Sequence, residues 1–187
     1  MSRRQPELGK RISPDGYDPN ALLSPTASAA GFRVIRVIAE FESFLEAGIR
    51  AARRELGQPT RENGSLNFEN KVALLRKLVK KRRPDVANAL RETFTSRGYH
   101  NARLVRNVLC HGQYIGRLED GSFWFKTNRA FVADDSHEYV ISHTFSEKFL
   151  LSVAENGEKL LAKYDRELPL PDRNRVGLTA FLKRRQN

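Results

Sequence analysis

The sequence predicts a mostly α-helical protein: a bundle of four to five helices with a small antiparallel β-hairpin inserted at about 113–144. Apolar residues recur every three or four positions over several long stretches, which is the spacing of a helix face. The period changes to alternation within the insertion and returns to helical spacing after it. We therefore predict a flexible N-terminal arm (1–31), a helical domain (32–168) and a basic C-terminal tail (169–187).

The first helix has the clearest apolar face. It is formed by Val34, Ile38, Phe41, Leu45, Ile49, Ala52 and Leu56. Gly57 follows Arg53 and Arg54, and this combination is typical of a helix C-terminus.

Three shorter helices are predicted next. The second begins near Asn67 and buries Phe68, Val72, Leu75 and Val79. Pro84 begins the third. Gly98 separates it from the fourth, which runs from about Tyr99 to His111 and ends at Gly112. Cys110 follows apolar positions in this helix, so we expect it to be a small buried side chain.

The inserted segment reads as strands. The segments Tyr114 to Leu118 and Phe123 to Thr127 have the alternating pattern of β-strands, and the turn between them, at 119–122, contains Gly121. A third strand is predicted at 138–143. The segment 144–147, Thr-Phe-Ser-Glu, matches a capping box and would open the last helix.

The composition favours a basic intracellular protein. The net charge is +11 and the pI is about 10.1, and such a surplus favours polyanions, of which RNA and DNA are the commonest. The single cysteine allows no internal disulfide, and neither a secretory signal nor a membrane-length apolar stretch is evident. We expect a cytoplasmic protein that does not enter a membrane.

The candidate chemistry lies near the end of the fourth helix. Arg106, Asn107 and His111 are polar residues on an otherwise apolar segment, and Asn107 and His111 share a face. The residue types suit phosphodiester cleavage, because His transfers protons near neutral pH, Arg binds phosphate oxygens and Asn orients either one. The alternative is a polar cluster that pins two helices together and caps the helix end.

The pattern Arg-Asn-x-x-x-His-Gly over Arg106–Gly112, in a basic helical bundle, resembles the HEPN superfamily (higher eukaryotes and prokaryotes nucleotide-binding). The resemblance implies a metal-independent endoribonuclease, active as a homodimer, in which the substrate's 2′-hydroxyl attacks the adjacent phosphate. It implies that Arg106 stabilises phosphate charge, that His111 transfers a proton or contacts phosphate, and that Asn107 positions one of them. A toxin or defence effector with a cognate antitoxin would fit this family, many of whose members are non-catalytic.

Further basic residues are candidates for RNA binding. These are Arg103 and the run Lys80, Lys81, Arg82 and Arg83, whose alternative is a solvated helix face. The hairpin aromatics could stack bases, although packing against the bundle also explains them. Trp124 is the one to consider, because it lies on the opposite face of the strand from Phe123 and Phe125. No cofactor motif, zinc spacing or Walker loop is evident, so we expect neither cofactor nor metal.

Two non-enzymatic functions remain open from the sequence. One is a helical module that binds RNA or a protein partner, in which the Arg106 motif is structural. The other is an antitoxin-like or scaffold protein that dimerises through its first and last helices.

Overall fold

The computed structural model describes residues 16–59, 66–130 and 138–167. In this part of the chain there are five helices and one antiparallel sheet of four strands. In chain order they are β1 (Tyr17–Asp18), α1 (Pro25–Glu55), α2 (Phe68–Val79), α3 (Pro84–Thr95), α4 (Arg97–His111), β2 (Gln113–Leu118), β3 (Phe123–Ala130), β4 (Glu138–Phe145) and α5 (Glu147–Glu167). The predicted fold class, mostly helical with a small antiparallel insertion, is confirmed.

The chain forms two compact units. The sheet unit contains the described residues of Met1–Gly31 and Leu104–Ser152. The helical unit contains those of Phe32–Arg103 and Val153–Asn187. No described helix is both long and apolar enough to span a membrane.

Aromatic and aliphatic side chains form the core of the helical unit. The predicted face of α1 is fully buried at Val34, Phe41, Leu45 and Ile49. The Phe41 ring meets the Phe94 ring edge to face, at 5.5 Å between centroids. At the surface of the same unit, Arg33 forms a two-point contact with the Glu158 carboxylate and so ties α1 to α5.

A buried charge in the helical unit was not predicted from the sequence. Lys71 on α2 is only 8% exposed, and its ammonium lies 2.6 Å from Glu46 on α1. Burial of a lysine requires such a partner, because the unpaired charge would lose its hydration. Lys71 therefore takes a core position beside Leu75 and Val79.

In the sheet unit the strand order is β1-β2-β3-β4. Phe125 pairs with Tyr114 on one side and with His143 on the other, so these three side chains share a face. The predicted turn is confirmed: Gly121 has a φ of 78°, which favours glycine. The third predicted strand is present as β4 and is two residues longer.

Two helix starts differ from the prediction, and in both cases a serine caps the helix. α1 begins at Pro25, inside the predicted flexible arm, because Ser24 accepts a hydrogen bond from the Ala27 amide (3.0 Å) and proline follows it. α4 begins at Arg97, and Gly98 lies within it. The break before it is at Ser96, whose hydroxyl accepts from the Tyr99 amide (3.2 Å).

The residue that caps α5 also differs from the predicted one. Thr144 of the presumed capping box lies in β4. Ser146 caps the helix, accepting from the Phe149 amide at 3.1 Å. Glu147 accepts a hydrogen bond from the Ser24 hydroxyl.

Parts of three predictions lie outside the described residues. These are the first 15 residues of the arm, residues 131–137 of the predicted insertion and the basic tail (169–187).

Candidate active site at the end of helix α4

Helix α4 ends at a point where only glycine fits. The Gly112 amide donates to the Val108 carbonyl (2.8 Å), and the chain then enters β2. A Cβ atom at position 112 would lie 2.4 Å from the Val108 carbonyl oxygen, and 3.3 Å from the carbonyl oxygen of Lys126 on β3. Gly112 therefore allows the end of α4 to approach the sheet closely, and this fixes where the last turn of the helix lies within the sheet unit.

Of the three predicted catalytic residues, Arg106 contacts both of the others in that last part of α4. The Arg106 Nη1 donates to the Asn107 Oδ1 at 3.1 Å and lies 3.2 Å from the His111 Nε2. One guanidinium nitrogen thus joins the amide and the imidazole. Arg106 and His111 are five positions apart, about 140° around the helix, and the length of the arginine side chain spans that separation.

Part of the cluster is accessible to a ligand. His111 is exposed, and Arg106 and Asn107 are half-buried, whereas Val105 and Val108 of the same helix are buried. The apolar side of α4 therefore faces the interior, and the polar cluster lies at the surface. A phosphate group could reach the guanidinium and the imidazole from solvent.

The contact between Arg106 and His111 defines the roles of the imidazole nitrogens. A guanidinium can only donate hydrogen bonds. In a hydrogen bond between these two groups the His111 Nε2 is therefore the acceptor, which corresponds to the tautomer with its ring proton on Nδ1.

Arg103, a predicted RNA-binding residue, belongs to the helical unit. There its Nη1 forms an ion pair with Glu69 of α2. The Glu69 carboxylate partly neutralises the positive charge with which Arg103 would bind RNA. In this structure Arg103 therefore makes an ion pair within its own unit.

The basic run after α2 is divided between free and paired side chains. Lys80 and Lys81 are exposed. Arg82 lies 3.6 Å from Glu55. Arg83 donates to both carboxylate oxygens of Asp85 at 3.0 and 2.8 Å, and this hydrogen bonding lowers the Asp85 pKa. Two of the four predicted RNA contacts are thus engaged by acids, and the run belongs to the helical unit.

The expectation for Cys110 was wrong. The thiol is exposed, because the buried positions of this part of α4 are Val105 and Val108, and Cys110 lies off that face.

No role for His143 was predicted from the sequence. The His143 Nε2 lies 3.0 Å from the Thr127 hydroxyl, and burial lowers the pKa of the imidazole. Thr127 also lies next to Gly112, since its Cγ2 would be 3.2 Å from a Cβ there. The pairing of β3 with β4 brings these residues together, and no sequence spacing indicates it.

No protein-family model, curated protein or solved structure matches the chain. Among residues 16–59, 66–130 and 138–167, no three His, Cys, Asp or Glu side chains are grouped as a metal site.

Proposed function

We propose that the protein is a metal-independent endoribonuclease whose catalytic residues are Arg106, Asn107 and His111. The observation that carries the proposal is the position of the Arg106 Nη1, within hydrogen-bonding distance of both the Asn107 amide and the His111 imidazole at an accessible helix end. An anion-binding group and a proton-transfer group thus lie side by side, as phosphodiester cleavage requires.

The proposed reaction uses the substrate's own nucleophile. The Arg106 guanidinium moves from the His111 Nε2 to the phosphate, and that nitrogen accepts the proton of a ribose 2′-hydroxyl as the 2′-oxygen forms a bond to the adjacent phosphorus. The bond from phosphorus to the 5′-oxygen breaks. That oxygen takes up a proton from water, and His111 releases the proton it accepted to the solvent. The products are a 2′,3′-cyclic phosphate and a 5′-hydroxyl, with no oxidant or metal needed.

Arg106 and Asn107 have separate roles in this reaction. The guanidinium stabilises the negative charge that develops on the non-bridging oxygens, for which its planar set of donors is suited. Because the Asn107 Oδ1 accepts from the Arg106 Nη1, Asn107 is the group that orients the guanidinium. Asn107 is therefore proposed as a positioning residue that acts through Arg106.

RNA as substrate is supported by the charge of the chain. A net charge of +11 attracts polyanions, and the attraction weakens as salt is added. A homodimer, a role as toxin or defence effector and a cognate antitoxin are parts of the proposal that derive from the HEPN resemblance. A cytoplasmic location is also proposed, because the single cysteine of the sequence allows no internal disulfide.

The test is cleavage of mixed RNA by the purified protein in EDTA. We expect products that end in cyclic phosphate and 5′-hydroxyl groups. The matched control is RNA methylated at every 2′-oxygen, which has no free nucleophile and should stay intact. Cleavage of the methylated RNA, or activity that requires an added metal ion, would contradict the proposed chemistry.

The second candidate is a non-catalytic module that binds RNA or a protein. The same hydrogen bonds favour it, because Arg106 contacts two residues of its own helix and so stabilises the last turns of α4. In that case Arg106→Ala should lower the melting temperature and change no activity. In the nuclease, activity should disappear while the melting temperature stays within a few degrees of wild type.

A further inference from the structure

The sheet has an outer face that begins next to the candidate site. Strand pairing places Gln113 opposite Lys126 and Lys126 opposite Ser142. Trp124 is two residues from Lys126 and lies opposite Thr144. Paired residues and alternate residues of a strand share a face. The outer face is therefore formed by Gln113, Trp124, Lys126, Ser142 and Thr144, together with Tyr17 of β1.

An aromatic and cationic group lies at the middle of the outer face. The Tyr17 ring meets the Trp124 ring edge to face at 5.1 Å, and the Lys126 ammonium lies 4.6 Å from the centre of the Trp124 ring. Trp124 is thereby only 4% exposed, while Tyr17 is 38% exposed. Trp124 packs beneath Tyr17 and Lys126, and these two are the side chains of the group that a ligand could contact.

The outer face is close to His111 along the chain. Gln113 is two residues after His111 and stands opposite Lys126. Strands rise about 3.3 Å per residue and neighbouring strands lie about 4.8 Å apart, so Lys126 is roughly 10 Å from His111 along this path. Tyr17 pairs with Leu118, which is about 16 Å farther along β2 than Gln113. A single strand of several nucleotides with a phosphate at His111 would therefore pass Lys126 before it reached Tyr17.

The charge on the outer face suits a polyanion. Lys126 is the cation beside Trp124, and Gln113, Ser142 and Thr144 are exposed polar groups. The register places the acidic residue of this face, Glu138, four residues before Ser142 on β4. Aromatic rings and a lysine next to small hydrogen-bonding side chains are the usual components of surfaces that bind single-stranded RNA. An acidic peptide would use the lysine but would gain little from the aromatic ring.

We propose that the outer face binds the single-stranded segment of RNA next to the scissile phosphate. Lys126 contacts a backbone phosphate, and a base stacks on Tyr17. This inference rests on the proposed function, because it assumes that RNA is the ligand of the Arg106 site.

The test uses Trp124, the single tryptophan of the sequence, as an intrinsic probe. Titration with a 2′-O-methyl oligonucleotide, which cannot be cleaved, should change the tryptophan fluorescence. Lys126→Gln should reduce the slope of log affinity against log salt by about 0.7, the value for one phosphate contact on a single strand. The matched control is Lys148→Gln, which removes one exposed lysine from α5 and should leave binding near wild type.

Tyr17→Leu tests the stacking contact. Leucine still covers part of Trp124, but it gives no flat surface to a base, so binding should weaken about fivefold or more. A fluorescence response to polyglutamate as strong as that to the oligonucleotide would indicate a protein-binding face and overturn the proposal.

The two proposals fail in different ways. If the wild type cleaves RNA while the fluorescence and the Lys126→Gln salt slope stay unchanged, the outer-face proposal is wrong and the nuclease proposal stands. If the fluorescence and the variants respond as expected but RNA stays intact, the nuclease proposal is wrong and the face is an RNA-binding surface.

Discussion

Substitution of two glycines near opposite ends of α4 should change stability in opposite directions. At Gly112 an added methyl group would lie 2.4 Å from the Val108 carbonyl oxygen, about 1 Å closer than an ordinary contact. The carbonyl would have to move, and its 2.8 Å hydrogen bond to the Gly112 amide would weaken. At Gly98, within α4, nothing lies within 4 Å of the added atom.

The expected magnitudes follow from these contacts. A weakened backbone hydrogen bond costs about 1 kcal/mol, and forcing extra volume into a packed position costs about 1–3 kcal/mol. Gly112→Ala should therefore lower the free energy of unfolding by about 2–4 kcal/mol. Gly98→Ala should raise it by up to about 1 kcal/mol, because alanine loses less conformational entropy in a helix.

Urea denaturation of the two variants and the wild type measures both effects. Thermal unfolding should agree, with a shift of about 2–4 °C for each kcal/mol in a chain of this size. A Gly112→Ala variant as stable as wild type would refute the view that the approach of α4 to the sheet requires glycine. A Gly98→Ala variant that loses stability would show that the space around a glycine does not predict whether its substitution raises or lowers the free energy of unfolding.

Three further predictions concern charged and titratable groups. Glu46→Gln should cost about 1–2 kcal/mol in urea denaturation, and more than Lys71→Met, since only the first leaves a buried ammonium without its carboxylate; equal losses would contradict this. Burial lowers the pKa of His143 below the value of about 6.5 that it has in the unfolded chain. The unfolded chain therefore takes up a proton first as the pH falls below about 6.5, and the free energy of unfolding decreases from there. His143→Gln should flatten this fall between pH 7 and 5, and an unchanged fall would exclude His143 as its source. Hydrogen bonding to Arg33 lowers the pKa of Glu158, so its stabilisation is present above about pH 4.3 and lost in more acid solution; Glu158→Gln should reduce the acid dependence of the melting temperature, and an unaltered dependence would argue against it.

Periodicity predicted the five helices and the strands β2 to β4, but β1 (Tyr17–Asp18), a two-residue strand in the predicted flexible arm, was missed. The other errors of secondary structure lie at the ends of elements. The start of α1 was missed even though Ser24 followed by Pro25 is a usual helix start, because the apolar face becomes evident only later. The cap of α5 was assigned to Thr144, but Ser146, two residues later, caps the helix. Pairing of Phe145 with Phe123 keeps Thr144 in the strand, and this long-range contact cannot be read from local sequence.

The candidate site was predictable only in part. Helical spacing placed Asn107 and His111 on one face, but both observed contacts are made by Arg106. Spacing along the helix does not account for the length of the arginine side chain, which allows these contacts. The pairing of Arg103 with Glu69 depends on how α2 and α4 pack in the helical unit. The neighbourhood of His143, likewise, is set by the register of β3 and β4.

The most direct test of the central claim is the rate of RNA cleavage in EDTA by His111→Ala, compared with wild type and with His100→Ala. His100 is an exposed histidine of the same helix and serves as the matched control. We expect His111→Ala to lose cleavage by at least about a hundredfold, the usual contribution of a proton-transfer group, while its melting temperature and the activity of His100→Ala stay near wild type. Cleavage by His111→Ala at the wild-type rate would contradict the assignment of the site.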